Sequence, residues 1–206
     1  MLDGGHAAGF LLAAVLITLA PGPDNLMVLG LGLSRGRRLG LMFGLGCALG
    51  CLSHTILAAV GISAMIAASP TLFTLFKVAG GLYLVWLGLR ALRSHGAAEA
   101  AAGPQGGGWA LFRRGLLANA INPKVALFFL AFLPQFVVAD KGAVWWQTIQ
   151  FGVLFTLQAA VLFAMVGWFS GHVGRWLART PSAKRWLDRV SGCVFLAFGA
   201  RLILSR

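Results

Sequence analysis

Two charged residues of opposite sign stand inside otherwise apolar stretches of this chain: Asp24 in APGPDN (Ala20–Asn25) and Lys124 in AINPK (Ala120–Lys124). Each would cost about 2.5 to 3.5 kcal/mol at the centre of a membrane helix, so a mutual pair, direct or through a substrate, is the economical arrangement. Ionisable residues at that depth usually line a pathway; otherwise they only hold two parts of a bundle together. Their neighbours point the same way. Pro21 and Pro23 lack amide hydrogens and Gly22 is permissive, so this segment, through Asp24 and Asn25, should interrupt a helix and free backbone carbonyls. In the second motif Asn122 can cap, Pro123 fits the first position of a new half-helix, and Lys124 follows in its first turn. Exposed backbone of this kind is tolerated in a bilayer only when buried in protein or lining a wet cavity.

Two further polar residues lie at the centres of apolar runs, His54 and Gln158. His54 can carry a proton near neutral pH or hydrogen-bond a neighbouring helix, and Gln158 can contact substrate or bridge helices. Cys47, Cys51 and His54 share a helical face, which is ligand chemistry for soft metals. Against a metal site, Cys47 lies among Gly44, Gly46 and Gly50, a small-residue face suited to close helix packing, and Cys193 also lies in an apolar run. No metal, cofactor or catalytic set is expected: there is no CxxC, no paired midplane carboxylates and no recognisable Ser/His/Asp spacing. Gly30-x-Gly32 and Gly44-x-Gly46 have no strand–helix unit around them and are not dinucleotide loops.

The elements that must position these residues are apolar runs at about 7–33, 40–68, 72–92, 111–138, 145–171 and 187–204, each long enough to span a bilayer. Composition agrees: 59% of the 206 residues are hydrophobic and 11% charged, with mean hydropathy +0.84, which leaves no room for a sizeable soluble domain. No Lys or Arg precedes the first run, so a signal peptide is not expected. Trp145 and Trp146 open run five as interfacial anchors.

The net charge of +12 could be misread as a nucleic-acid signal. Twelve basic residues fall on one side, in three short loops: Arg35, Arg37 and Arg38; Arg90, Arg93, Arg113 and Arg114; Arg175, Arg179, Lys184, Arg185 and Arg189. Lys77, Lys141, Arg201 and Arg206 fall on the other. The positive-inside rule puts the twelve in the cytoplasm and both termini outside, and nucleic acid is not an expected partner.

The hydrophilic segment Ser94–Gly108 (SHGAAEAAAGPQGGG) reads as a flexible cytoplasmic linker between two three-helix halves, 1–94 and 111–206, joined through 95–110. A short internal repeat supports that division. Val78, Gly80 and Leu84 match Val190, Gly192 and Leu196; Gly88-x-Arg90 matches Gly199-x-Arg201 after one residue of slippage; and both motifs read A-x-x-P-[DK]. With an odd number of spans per half, the second half must lie upside down relative to the first. The expected fold is therefore an all-α polytopic membrane protein, six helices in two inverted repeats, with helices one and four interrupted.

The chain resembles the LysE/RhtB family of bacterial lysine and homoserine/threonine exporters. The likeness runs through APGPDN at Ala20, SRGRRLGL at Ser34, GCLSHTILAAVG at Gly50, KVAGGLYLVWLG at Lys77 and GLLANAINPKVALFFLAFLPQF at Gly115. It implies efflux of amino acids or small derivatives across the bacterial inner membrane in exchange for protons. Pro21, Gly22, Pro23, Asp24, Asn25, Asn122, Pro123 and Lys124 carry the family's motifs. The expected partners are thus an amino-acid substrate, protons and the lipid bilayer, and the glycine-rich faces suit a homodimer. A divalent or heavy-metal exporter is the alternative within transport, and a membrane-embedded redox carrier or enzyme the alternative outside it.

Overall fold

The computed structural model describes residues 4–93 and 105–204, and among these every regular element is helical. In chain order they are α1 (Gly4–Leu19), α2 (Pro23–Arg35), α3 (Arg37–Ala68), α4 (Pro70–Arg93), α5 (Gly108–Ala120), α6 (Pro123–Leu127), α7 (Val144–Arg179) and α8 (Pro181–Leu204). A π-helical turn, Phe128–Phe132, and a 3-10 turn, Leu133–Phe136, extend α6. Most of the expected linker, residues 94–104, lies outside the described residues.

Arg37–Gly61, Phe73–Arg93 and Val144–Leu177 are each long and apolar enough to cross a membrane. Two helix pairs meet the same test jointly, α1 with α2, bent by 56°, and α5 with α6 and its extension, bent by 47°. The sixth apolar run lies within α8, where Asp188 and Arg189 on one side and Arg201 on the other leave only a short uncharged stretch. The order of bent pair, long helix and shorter helix thus occurs twice along the chain.

The bends fall where the prolines remove donors. In the first turn of α2, Leu26 N bonds the carbonyl of Gly22, while Pro21 and Pro23 can donate nothing to the last turn of α1. Gly22 is extended, at φ −164°, and Pro23 takes the first helical position. The interruption is therefore shorter than the sequence predicts, spanning Ala20–Gly22, with Asp24 and Asn25 already helical. At the second bend the Asn122 side chain accepts from Lys124 N at 3.0 Å, and Pro123 opens α6, the capped start the sequence predicts.

α3 packs against α7 and α5, and α4 against α8. Glycines set the closeness. A methyl group on Gly50 would lie 2.7 Å from the Leu116 carbonyl oxygen of α5. On Gly88 it would lie 2.9 Å from the Gly192 carbonyl, and on Gly199 it would lie 2.7 Å from that of Gly81. The last two contacts make α4 and α8 antiparallel and involve glycines of the sequence repeat. These glycines close α3 on α5 and α4 on α8 within the chain. The core is aromatic: Phe10, Phe128, Phe129, Phe132, Phe136, Phe151, Phe155 and Phe198 form one buried cluster, with Phe132 and Phe198 rings 4.6 Å apart.

Candidate functional site

The two bends meet, and each supplies what the other's charge lacks. Asp24, only 4% exposed, receives hydrogen bonds at Oδ2 from Asn119 Nδ2 and Asn122 Nδ2, both 2.9 Å. Lys124, 7% exposed, donates from Nζ to the carbonyls of Ile17 at 3.1 Å and Ala20 at 3.0 Å. Those carbonyls are in the turn that Pro21 and Pro23 leave without amide donors. The expected mutual pairing thus takes an indirect form: neutral groups of the other bend hold each charge, where charge-assisted hydrogen bonds are the strong kind.

Asn25 fixes the first bend. Its Nδ2 donates to the carbonyls of Thr18 at 2.8 Å, Leu19 at 3.3 Å and Ala20 at 3.2 Å, tying the first turn of α2 to the last turn of α1. Its Oδ1 and Gln158 Oε1 are buried without a hydrogen-bond partner. Gln158 Nε2 donates to Thr18 Oγ1 at 2.9 Å, so Gln158 joins the first bend from α7. His54 is buried on α3 with Nε2 2.9 Å from the carbonyl oxygen of Asn119, the residue whose side chain donates to Asp24. Cys51 contacts Asn119 Oδ1 through Sγ at 3.4 Å, and Cys47 is buried one turn earlier. No group of three His, Cys, Asp or Glu residues able to hold a metal occurs among the described residues.

Two cavities flank this centre. A small one of about 10 Å³, room for about one water, is lined by Thr18, Asp24, Cys51, Asn119 and Lys124 among others. The large one, about 580 Å³, shares Lys124 with it. Pro21, Gly22, Pro23, Asn122, Pro123 and Lys124 form part of its lining, and α4 and α8 contribute Tyr83, Trp86, Arg90, Asp188 and Phe195. A Cβ on Gly22 would lie 3.0 Å from Lys124 Nζ, so this glycine admits the lysine head to the bend.

Six of the eight motif residues therefore line the large cavity directly, and Asp24 and Asn25 sit immediately behind them. Asn119 and Thr18 were not singled out from sequence, and neither were the α4 and α8 residues. The spacing Asn119-x-x-Asn122, which puts both amides on one side of a turn, was the available signal for Asn119. Nothing in the composition of α4 or α8 marks which face they turn to the bends.

A buried anion and cation at two helix bends, beneath a cavity in an all-helical chain with membrane-length apolar helices, define a multi-pass membrane protein built around a polar centre. The chain belongs to the LysE type translocator family, whose model matches residues 15–206. It is 33% identical to an uncharacterized membrane protein of Vibrio cholerae, over 96% of each chain. It is 30% identical to a threonine efflux protein of Escherichia coli K12, over 93% of this chain and 94% of the other. A leucine efflux protein of Enterobacter sp. strain 638 is 31% identical, over 94% of this chain and 92% of the other. No solved structure matches the chain.

Proposed function

We propose that this protein is a secondary transporter that exports a zwitterionic amino acid or small derivative across the bacterial inner membrane, with proton antiport. The observation that carries the reading is the convergence of Asp24 and Lys124, from two different bends, on one small cavity, with Lys124 also lining a cavity of about 580 Å³. The named efflux activities of the relatives support the amino-acid class.

The bends are interrupted membrane spans in this reading, and the halves are inverted repeats. Antiparallel packing of α4 on α8 through repeat-related glycines supports that symmetry. Arg90 and Asp188 lie toward the helix ends that the basic loops assign to the cytoplasm, so the large cavity is the cytoplasmic vestibule. The phenylalanine cluster around Phe10, Phe136 and Phe151 closes the opposite side.

Substrate enters through the vestibule, and its carboxylate meets Lys124. Drawing the lysine head off the carbonyls of Ile17 and Ala20 exposes acceptors to the substrate ammonium, with Asp24 completing the site. A proton reaching Asp24 or His54 from outside then releases the substrate outward. If one proton exchanges for one neutral zwitterion, 100 mV supplies about 2.3 kcal/mol, a gradient of about fifty-fold.

Counterflow of labelled amino acids into proteoliposomes holding purified protein tests this. Wild type should exchange at least one neutral amino acid, and in separate vesicles loaded with that amino acid its net efflux should acidify the lumen. Asp24→Asn and Lys124→Gln proteins, correctly inserted, should lose exchange; normal rates in both would overturn the site.

A further inference from the structure

We infer that α4 and α8 form one arm that swings as a unit against the rest of the bundle, and that its contact with Leu127, Ala131 and Phe132, at the end away from the large cavity, is the exit gate. The inference rests on the exporter reading above and goes beyond it by naming the part that moves.

α4 and α8 pack chiefly on each other. A Cβ on Gly81 would lie 3.1 Å from the Gly199 carbonyl oxygen, and one on Gly192 would lie 2.9 Å from that of Gly88. Backbone thus meets backbone at two levels, a seam that neither helix can leave without opening a gap. Each helix is joined to its predecessor by a single residue followed by proline: Ser69 and Pro70 before α4, Thr180 and Pro181 before α8. Proline supplies no amide donor across the joint and biases the residue before it away from the helical region. At the second joint Thr180 N bonds the Leu177 carbonyl and Ala183 N bonds the Thr180 carbonyl, so one ladder ends there and the next begins. Because the pair is antiparallel, the two joints stand at opposite ends of the arm.

The arm meets the rest of the protein in two ways along its length. Residues of α4 from Tyr83 to Ala91, with Asp188 and Phe195 of α8, line the large cavity, which the two bends also line. About one turn farther along the arm, away from the cavity, the surfaces touch. A Cβ on Gly80 would lie 3.0 Å from the Ala131 Cβ and 3.4 Å from Leu127 Cδ2. The Phe198 ring stands 4.6 Å from that of Phe132, and the Arg201 guanidinium 5.8 Å from the same ring. Rotation about the middle of the arm, between the Gly81–Gly199 and Gly88–Gly192 contacts, brings its cavity half onto the bends and lifts its other half off Ala131 and Phe132. Closing the vestibule and opening the exit are then one motion, so a bound substrate never has both paths at once.

The test uses the full-length protein with Cys193→Ser in proteoliposomes. Gly80→Cys with Ala131→Cys sets two Cβ atoms 3.0 Å apart, a small shift from the about 3.8 Å of a disulfide. Oxidation should cross-link the pair and abolish counterflow, and dithiothreitol should restore it, a recovery that a misfolded variant cannot show. Phe198→Cys, on α8, should react with a membrane-impermeant maleimide faster when a transported amino acid is present, measured over a control that lacks it. The cross-link on α4 should remove that increase. Normal counterflow in the oxidised protein, or failure of the pair to cross-link, would overturn the gate while leaving the exporter reading in place. Labelling of α8 that still responds to substrate with α4 locked would overturn the arm. Failure of wild type to exchange any of the twenty amino acids or homoserine would overturn the exporter reading and the gate with it.

Discussion

The two helix bends look alike in sequence and act in opposite ways. The first, Ala20–Gly22, contributes an anion and a row of main-chain acceptors, because two prolines within three residues strip donors from its neighbourhood. The second, around Ile121 and Asn122, keeps its turn closed through Ile121 N to Leu117 O and Asn122 N to Asn119 O. It offers side-chain amides and a cation instead. Asn119 and Asn122 go to Asp24, and Lys124 goes to Ile17 and Ala20, so each half is left unsatisfied without the other. The lesson is that a buried charge pair need not touch: a polar centre split between two elements couples them, since neither can move away without exposing the other's charge.

Exchanging the two charges, Asp24→Lys with Lys124→Asp, should break this comparison most severely. A plain ion pair would survive the exchange, whereas a lysine facing two amide donors and an aspartate facing two carbonyls would each sit among like partners. Proteoliposome exchange should fall about 100-fold or more, on the scale of an uncompensated buried charge.

Asn25→Ala removes the three-way clasp across the first bend and should lower the thermal midpoint in detergent by about 5 °C. Asn119→Ala leaves the Asn122 cap of the second bend in place, so a larger loss of stability from Asn119→Ala would overturn the weight given to the Asn25 clasp. The two asparagines of the second bend should differ as well. Asn122 both donates to Asp24 and caps Lys124 N, so Asn122→Ala should slow exchange about fivefold more than Asn119→Ala, the worth of about one helix cap. Gln158→Leu breaks one interhelical hydrogen bond to Thr18 and should change exchange by less than about threefold.

Much of the centre was legible before any coordinates. Pro21, Pro23 and Pro123 announce the bends because a missing donor is a local, covalent fact. Asp24 and Lys124 stand out because charge is scarce in the apolar runs and costly there. The small-residue face around Gly44, Gly46 and Gly50 was also readable: α5 packs against Gly46 and Gly50, and α7 against Gly44. Through Gly81, Gly88, Gly192 and Gly199, α4 and α8 of the same chain close on each other.

What the sequence determined by itself is where the helices must break and which charges cannot be ordinary surface residues, because proline chemistry and the cost of burying charge act within a few residues. Only the tertiary structure decided that Asp24 answers to Asn119 and Asn122, that Lys124 answers to Ile17 and Ala20, and that Tyr83, Trp86 and Phe195 wall the cavity beside them. Those pairings depend on the rotation and register of helices far apart in the chain, which glycine contacts and the phenylalanine core set only once the bundle is packed.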